Sequence, residues 1–198
     1  MPNEYLYKEY ELSYKQLQFY DSRQSDILKY LFTLTSAVAT AQFAVYKVVQ
    51  GFTQTFLACQ VFLSVVVFIA TLLLFMVMLE NRLYFVYMAR QLNAIRGYLM
   101  QTEAGDFRNN QLYTSTDFSA FKPLSVHTFQ LLGAALLSSL FAGLSVYALY
   151  PALGTEANAV VSFVVFFIVA AAEILGGMKY LASSGRKTAD EAIHRRGG

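Results

Sequence analysis

The sequence predicts an all-α, polytopic membrane protein with four transmembrane helices, an amphipathic N-terminal helix and a long cytoplasmic extension of the second span. Of the 198 residues, 56% are hydrophobic and 14% are charged, whereas roughly a quarter of the residues in soluble domains are charged. Residues 56–79 carry no charge. At about 1.5 Å per residue this run is about 36 Å long, which is enough to cross a bilayer core of about 30 Å.

Residues 1–26 are predicted to form a cytoplasmic amphipathic helix, because apolar and aromatic side chains recur along one side of the segment. Asp21 and Gln24 resemble a capping box. Two alternatives therefore stay open: a second helix begins near Ser22, or the first helix continues into the membrane.

Residues 27–79 are predicted to form a transmembrane hairpin. Its first span, residues 30–46, is interrupted by threonine, serine and glutamine, which favour a helix packed against other helices. Its second span, residues 56–79, passes without a proline or glycine break into a charged helical segment. Residues 80–125 are expected to hold this cytoplasmic extension and a polar loop.

Residues 126–181 are predicted to form a second transmembrane hairpin, followed by a basic cytoplasmic tail over residues 182–198. Ala135, Ser139 and Gly143 place a small residue at every fourth position of the third span. Such a ladder lets another helix backbone approach closely, and together with the amphipathic extension it is the main reason to expect a homo-oligomer. Neighbouring helices of the same subunit would satisfy the ladder equally well.

The positive charges predict the orientation in the membrane. All fifteen lysines and arginines except Lys47 lie on the side that holds both termini and the central loop. The positive-inside rule places that side in the cytoplasm. We therefore expect a multi-pass protein of the inner membrane whose outer links are too short to suit a receptor for large external ligands.

The sequence holds little that indicates catalysis. With two histidines and one cysteine, a metal site built from these residue types is not expected. Ser119 and Lys122 match the Ser-x-x-Lys pattern of some acyl-transfer enzymes, but the companion motifs of that pattern are missing. We therefore predict no enzymatic activity, no catalytic residues, no cofactor and no metal.

Glu173 is the most informative single residue, because it falls inside the fourth predicted span, about 10 Å from the cytoplasmic edge. A carboxylate at that depth needs a partner or an aqueous cavity, and Lys29, Arg82 and His127 are the candidate partners. One interpretation is a pore or gating site made of Glu173, His127 and Lys29. The other is a structural tie between helices.

Arginines of the extension form a second candidate site. Arg82, Arg90 and Arg96, together with Asn93, could clamp an anionic ligand such as a nucleotide or make subunit contacts, since guanidinium groups suit phosphate. The alternative is attraction to anionic lipid headgroups. That alternative is favoured for Arg82, which is the closest of them to the membrane.

The layout of residues 3–103, an amphipathic helix, a transmembrane hairpin and a helical cytoplasmic continuation, resembles the SLATT group of small bacterial membrane effectors. The third and fourth spans are an addition to that layout. The resemblance implies a homo-oligomeric pore or membrane-disrupting effector of antiviral defence, held inactive until a cytoplasmic nucleotide signal or regulatory protein arrives. A different class also fits the residues: a non-enzymatic membrane scaffold or anchor subunit for a cytoplasmic partner.

Overall fold

The computed structural model describes residues 2–51, 53–102, 114–117 and 119–194. These residues form four helices and no strand: α1 (Pro2–Val48), α2 (Gln54–Thr102), α3 (Val126–Ala152) and α4 (Ala159–His194). The predicted all-α class is confirmed. Part of the predicted loop, residues 103–113 and 118, and the end of the predicted tail, residues 195–198, lie outside the described residues.

Three of the described helices, α2, α3 and α4, are long and apolar enough to cross a membrane. Within their apolar windows, 56% of α3 is buried, against 28% of α2 and 17% of α4. Of these three helices, α3 is therefore the most enclosed by its neighbours. The first helix is absent from this group because threonine and glutamine side chains lower the hydropathy of its second half.

The sequence left open whether a second helix begins near Asp21. The structure has a single helix there, because α1 continues without a break from Pro2 to Val48. No proline or glycine occurs between Asn3 and Gln50, so nothing in that stretch interrupts the helical hydrogen bonds. The helix is followed by Gln50 and Gly51, whose φ angles are +56° and +122°. This left-handed backbone reverses the chain toward α2.

The other helix ends are set by local chemistry. Ser125 caps α3, and its hydroxyl accepts a hydrogen bond from the Thr128 amide at 3.2 Å. Pro151 lies in the last turn of α3. Gly154 follows with a φ angle of +78°. Helix α4 runs on to His194 and so includes most of the residues predicted as a tail.

The chain divides into two compact units. The polar unit falls within Met1–Ser25, Glu80–Pro123 and Lys179–Gly198, and the apolar unit comprises Asp26–Leu79 and Leu124–Met178. Helices α1, α2 and α4 each pass from one unit into the other as one unbroken helix.

Each unit has its own core. The core of the apolar unit takes fully buried or nearly buried side chains from all four helices: Leu31, Val67, Phe75, Met78, Ala134, Phe141 and Ala170. The core of the polar unit is built mainly on α2: Leu83, Val86, Leu92, Ile95, Ala120 and Leu181. Removal of these apolar side chains from water stabilises the polar unit. In a unit that crosses a membrane, the lipid is itself apolar, so close packing and hydrogen bonds would stabilise the contacts between helices instead.

At Gly143, the backbones of α3 and α4 lie close together, and the absence of a side chain makes that contact possible. A Cβ atom at this position would lie 3.1 Å from the Ser162 carbonyl oxygen and 3.3 Å from the Phe166 Cβ atom. Gly133, on the same helix, has nothing within 4 Å of its Cβ position. The two glycines therefore differ in whether a side chain fits.

We expect Gly143→Leu to destabilise the protein by about 1–3 kcal/mol, since an overpacked contact forces neighbouring backbones apart. The measurement is the free energy of unfolding in detergent. Gly133→Leu is the matched control and should leave the stability equal or slightly higher, because leucine favours helix over glycine. Equal losses in the two variants would contradict a close contact at Gly143.

Candidate functional site

The apolar unit holds a buried carboxyl group, that of Glu173 on α4, whose side chain is 8% exposed. Ser138 on α3, which is fully buried, donates a hydrogen bond from Oγ to Glu173 Oε1 at 2.8 Å. The second carboxyl oxygen, Oε2, is buried and has no hydrogen-bond partner among the described residues. The pair is therefore a polar contact enclosed between two apolar helices.

Helix register brings this pair together. Gly143 contacts Ser162, and Ser138, which is earlier on α3, contacts Glu173, which is later on α4. The two helices are therefore antiparallel. Gly177 lies one helical turn beyond Glu173 on the same face. A Cβ atom there would be 3.1 Å from Phe75 Cζ of α2. The face of α4 that carries Glu173 is therefore packed against both α3 and α2.

The partner of Glu173 differs from the candidates that the sequence offered. Lys29 lies instead 2.8 Å from Asp26, one turn earlier on its own helix, and both side chains are exposed. His127 is in the first turn of α3, eleven residues before Ser138, which is about 16 Å along the helix axis. Neither is brought to the carboxyl group. Ser138 was missed, although a serine inside an apolar span is the available signal for such a hydrogen bond.

The small-residue ladder of α3 is covered within the subunit. Ala135 and Ser139 are fully buried, Ser139 donates a hydrogen bond to the Ala135 carbonyl at 2.6 Å, and Gly143 contacts α4. The small residues of the ladder are therefore packed within the same chain. Homo-oligomerisation stays a prediction, and this pattern no longer supports it.

The arginines of α2 lie in the polar unit. Arg82 is 3% exposed, its Nε donates to the Ala120 carbonyl at 3.1 Å, and its guanidinium lies 5.1 Å from the centre of the Phe85 ring. Burial lowers the pKa of Arg82 to about 10, and the charge of Asp21 opposes that shift. The group therefore stays protonated at neutral pH. It is enclosed by protein, which corrects the expectation that Arg82 contacts lipid headgroups.

Arg90 and Ala120 both contact Gly185 of α4. Arg90 Nη1 donates to the Gly185 carbonyl at 2.8 Å, and a Cβ atom at Gly185 would lie 2.9 Å from the Ala120 Cβ. Only glycine therefore lets the chain segment that bears Ala120 approach α4 so closely. Together with Arg82, these residues form what we term the arginine clamp: Arg82, Arg90, Ala120 and Gly185.

Asn93 and Arg96 make comparable ties farther along α2. Asn93 Nδ2 donates to the Ser115 carbonyl at 2.7 Å, and Arg96 Nε donates to the Tyr10 hydroxyl at 3.3 Å. The Arg96 guanidinium also lies 5.6 Å from the centre of the Tyr10 ring, which adds a cation–π contact. The side chains that were predicted to bind a ligand therefore form hydrogen bonds with other parts of the polar unit.

Asn81, at the start of the α2 extension, is a polar contact that the sequence analysis missed. Its buried Nδ2 donates to the Tyr20 carbonyl at 2.7 Å and to Gln24 Oε1 at 3.0 Å. Gln24, which resembled part of a capping box, therefore bonds across to α2. The adjacent polar residues Glu80, Asn81 and Arg82 at the end of the uncharged run are the signal that marks this junction.

Among the described residues, no group of three or more histidine, cysteine, aspartate or glutamate side chains could hold a metal ion. A scan against protein-family models and searches of the curated proteins and of the solved structures find no match for this chain. The fold and the buried pair define a helical protein with three candidate membrane spans and a polar contact inside its apolar unit.

We expect Ser138→Ala to lower the free energy of unfolding by about 1–3 kcal/mol, because it leaves both oxygens of the buried carboxyl group without a donor. The measurement is thermal or denaturant unfolding in detergent micelles.

Ser139→Ala is the matched control. Ser139 is equally buried, but its hydroxyl bonds to a carbonyl of its own helix, so its loss should have a smaller effect. If the two alanine variants were equally stable, the Ser138–Glu173 hydrogen bond would not be a significant tie.

Proposed function

We propose that the protein is a homo-oligomeric membrane channel or membrane-disrupting effector whose polar unit controls the apolar unit in response to a cytoplasmic signal. The observation that carries this proposal is the continuity of α1, α2 and α4, each of which runs unbroken from one unit into the other. A helix is stiff, so a shift at one end is transmitted as a translation or rotation at the other.

The proposal includes four membrane crossings, with the second half of α1 as the fourth. Residues 26–48 belong to the same compact unit as the three candidate spans, and these 23 residues are about 34 Å long at 1.5 Å per residue. Exposed aromatic side chains such as Phe32 and Phe43 suit contact with lipid. This segment is joined to α2 by a link of a few residues, which favours a hairpin.

The polar side chains of this segment do not require water. The hydroxyls of Thr33, Thr35 and Thr40 donate to carbonyls of their own helix at 2.8, 3.0 and 2.9 Å. Gln42 Nε2 donates to Ser64 Oγ of α2 at 3.4 Å. Since hydrogen-bonded polar groups are much less costly in lipid than unsatisfied ones, the lower hydropathy of α1 is compatible with a membrane crossing.

Buried polar side chains in the apolar unit support a conducting role. Besides Glu173 and Ser138, the buried positions include Ser64, Thr71 and Ser162. In this structure their hydroxyls take part in hydrogen bonds within the protein. Separation of the helices would expose groups able to hydrate a path for ions.

A membrane scaffold is the second candidate, and the arginine clamp favours it. Arg82 and Arg90, together with Asn93 and Arg96, bond to other parts of the polar unit, so a signalling ligand would have to displace existing contacts. The assignment to bacterial antiviral defence rests on the layout resemblance alone. The inner-membrane location and cytoplasmic termini rest on the distribution of lysine and arginine.

Cysteine accessibility tests the number of crossings. In a Cys59→Ser background, single cysteines replace Gln16, Thr53 and Ser183, all of which are exposed. A membrane-impermeant maleimide applied to intact cells should label only the Thr53 variant, and permeabilised cells should label all three. Opposite accessibility of the Gln16 and Ser183 variants would instead indicate three crossings.

Ion flux tests the function itself. We expect induced expression in bacteria to depolarise the membrane and slow growth, and the purified protein to release ions from proteoliposomes. Glu173→Gln should reduce both effects several-fold without loss of assembly, because it removes the buried carboxyl group of the apolar unit.

Glu156→Gln is the matched acid-to-amide control, since Glu156 is exposed in the link before α4. It should behave as the wild type. Unchanged membrane potential and no ion release by the wild-type protein would favour the scaffold.

A further inference from the structure

We propose that Glu173 carries a proton in the resting protein and that, with Ser138, it forms a proton-controlled latch between α3 and α4. This inference concerns the same site as the proposed channel function. Its chemical part, the protonated carboxyl group, stands independently of conduction, whereas its role as a latch rests on the proposed function.

The described contacts of the α4 face that carries Glu173 are made by uncharged side chains. Ser138 contacts its carboxyl group from α3. One turn further along the same face of α4, Phe75 and Leu79 of α2 pack against Gly177. Thus neither helix packed against this face supplies a cation at these contacts.

The other charged groups of the apolar unit are exposed. Lys29 pairs with Asp26, and Lys47 lies 5.4 Å from the centre of the Phe43 ring near the C-terminal end of α1. Glu156 is exposed in the link before α4. Glu173 is therefore the buried charged residue of this unit, as far as the structure describes it.

The single histidine of the unit, His127, is half-buried and lies in the first turn of α3. That turn is about 16 Å along the helix from Ser138. At that separation it makes no direct contact with the carboxyl group, so Ser138 is the polar group that contacts Glu173.

The charge state follows from comparing two costs. An ionised carboxylate without a cation in an apolar interior carries the full penalty of a desolvated, unpaired charge. The protonated form carries the smaller penalty of one hydroxyl without an acceptor, together with the cost of holding a proton at a pH above the ordinary pKa of a glutamate. With no cation beside the carboxyl group, the penalty of the unpaired charge is the larger one, so Oε1 accepts the Ser138 hydrogen bond and Oε2, the oxygen without a protein partner, carries the proton.

Release of that proton to water would leave a full negative charge between α3 and α4. The charge would be stabilised only by water or a cation entering the contact, which separates the helices. The carboxyl group is therefore a binding site for a single proton. Its occupancy favours the packed arrangement, and its loss favours the hydrated one.

Infrared spectroscopy of the full-length protein in lipid tests the charge state directly. At neutral pH, the difference spectrum between the wild type and Glu173→Gln should contain the C=O stretching band of a protonated carboxylic acid. The band should shift in heavy water and decline as the pH is raised. A carboxylate band in its place at neutral pH would overturn the proposal.

Ser139→Ala should keep the protonated band at the wild-type frequency, whereas Ser138→Ala should shift it because the hydrogen bond to Oε1 is lost. If Glu173→Gln did not fold, the pH titration of the band in the wild type, compared with Glu156→Gln, would still decide the question. Because this readout does not require ion flux, a protonated band in a protein that conducts nothing would uphold the proton site and refute the channel.

Discussion

Polar groups in an apolar setting must find partners inside the protein, and the hydrogen bond between Ser138 and Glu173 is where that constraint acts most strongly. It joins the most enclosed span, α3, to the least enclosed one, α4. The close contact at Gly143 brings the same two helices together. Packing and hydrogen bonding therefore stabilise the same pair of helices, and a substitution that weakens one contact is expected to weaken the other.

The same constraint explains why the polar unit is held by side-chain bonds to backbone carbonyls. Asn81, Arg82 and Asn93 on α2 each donate to a carbonyl group of a different segment. The Ala120 and Ser115 carbonyls lie outside the helices and so have no helical hydrogen bond, whereas the Tyr20 carbonyl belongs to α1. Long donors on one helix supply those bonds, so α2 organises this unit as α3 organises the other.

The apolar runs and their periodicity predicted the all-α class and four spans, and the structure confirms the class and three helices apolar enough to cross a membrane. These features could be predicted because length and hydropathy are local properties. Partner choice is not local. The sequence showed that Glu173 needs a partner, but charge alone suggested Lys29, Arg82 or His127, whereas the helix register selects Ser138. The ladder at Ala135 likewise indicated a close helix contact without showing that the contact lies within one chain. Arg82 was expected at the headgroups because sequence position does not show burial.

Helix α4 links the two sets of contacts. It carries Glu173 in the apolar unit and Gly185, the acceptor of the Arg90 hydrogen bond, in the polar unit. Twelve residues of one continuous helix separate them. Disruption of either contact would therefore act on α4. Since α4 has the smallest buried share of the three candidate spans, each of its contacts is expected to matter more for its packing than an equivalent contact would for α3.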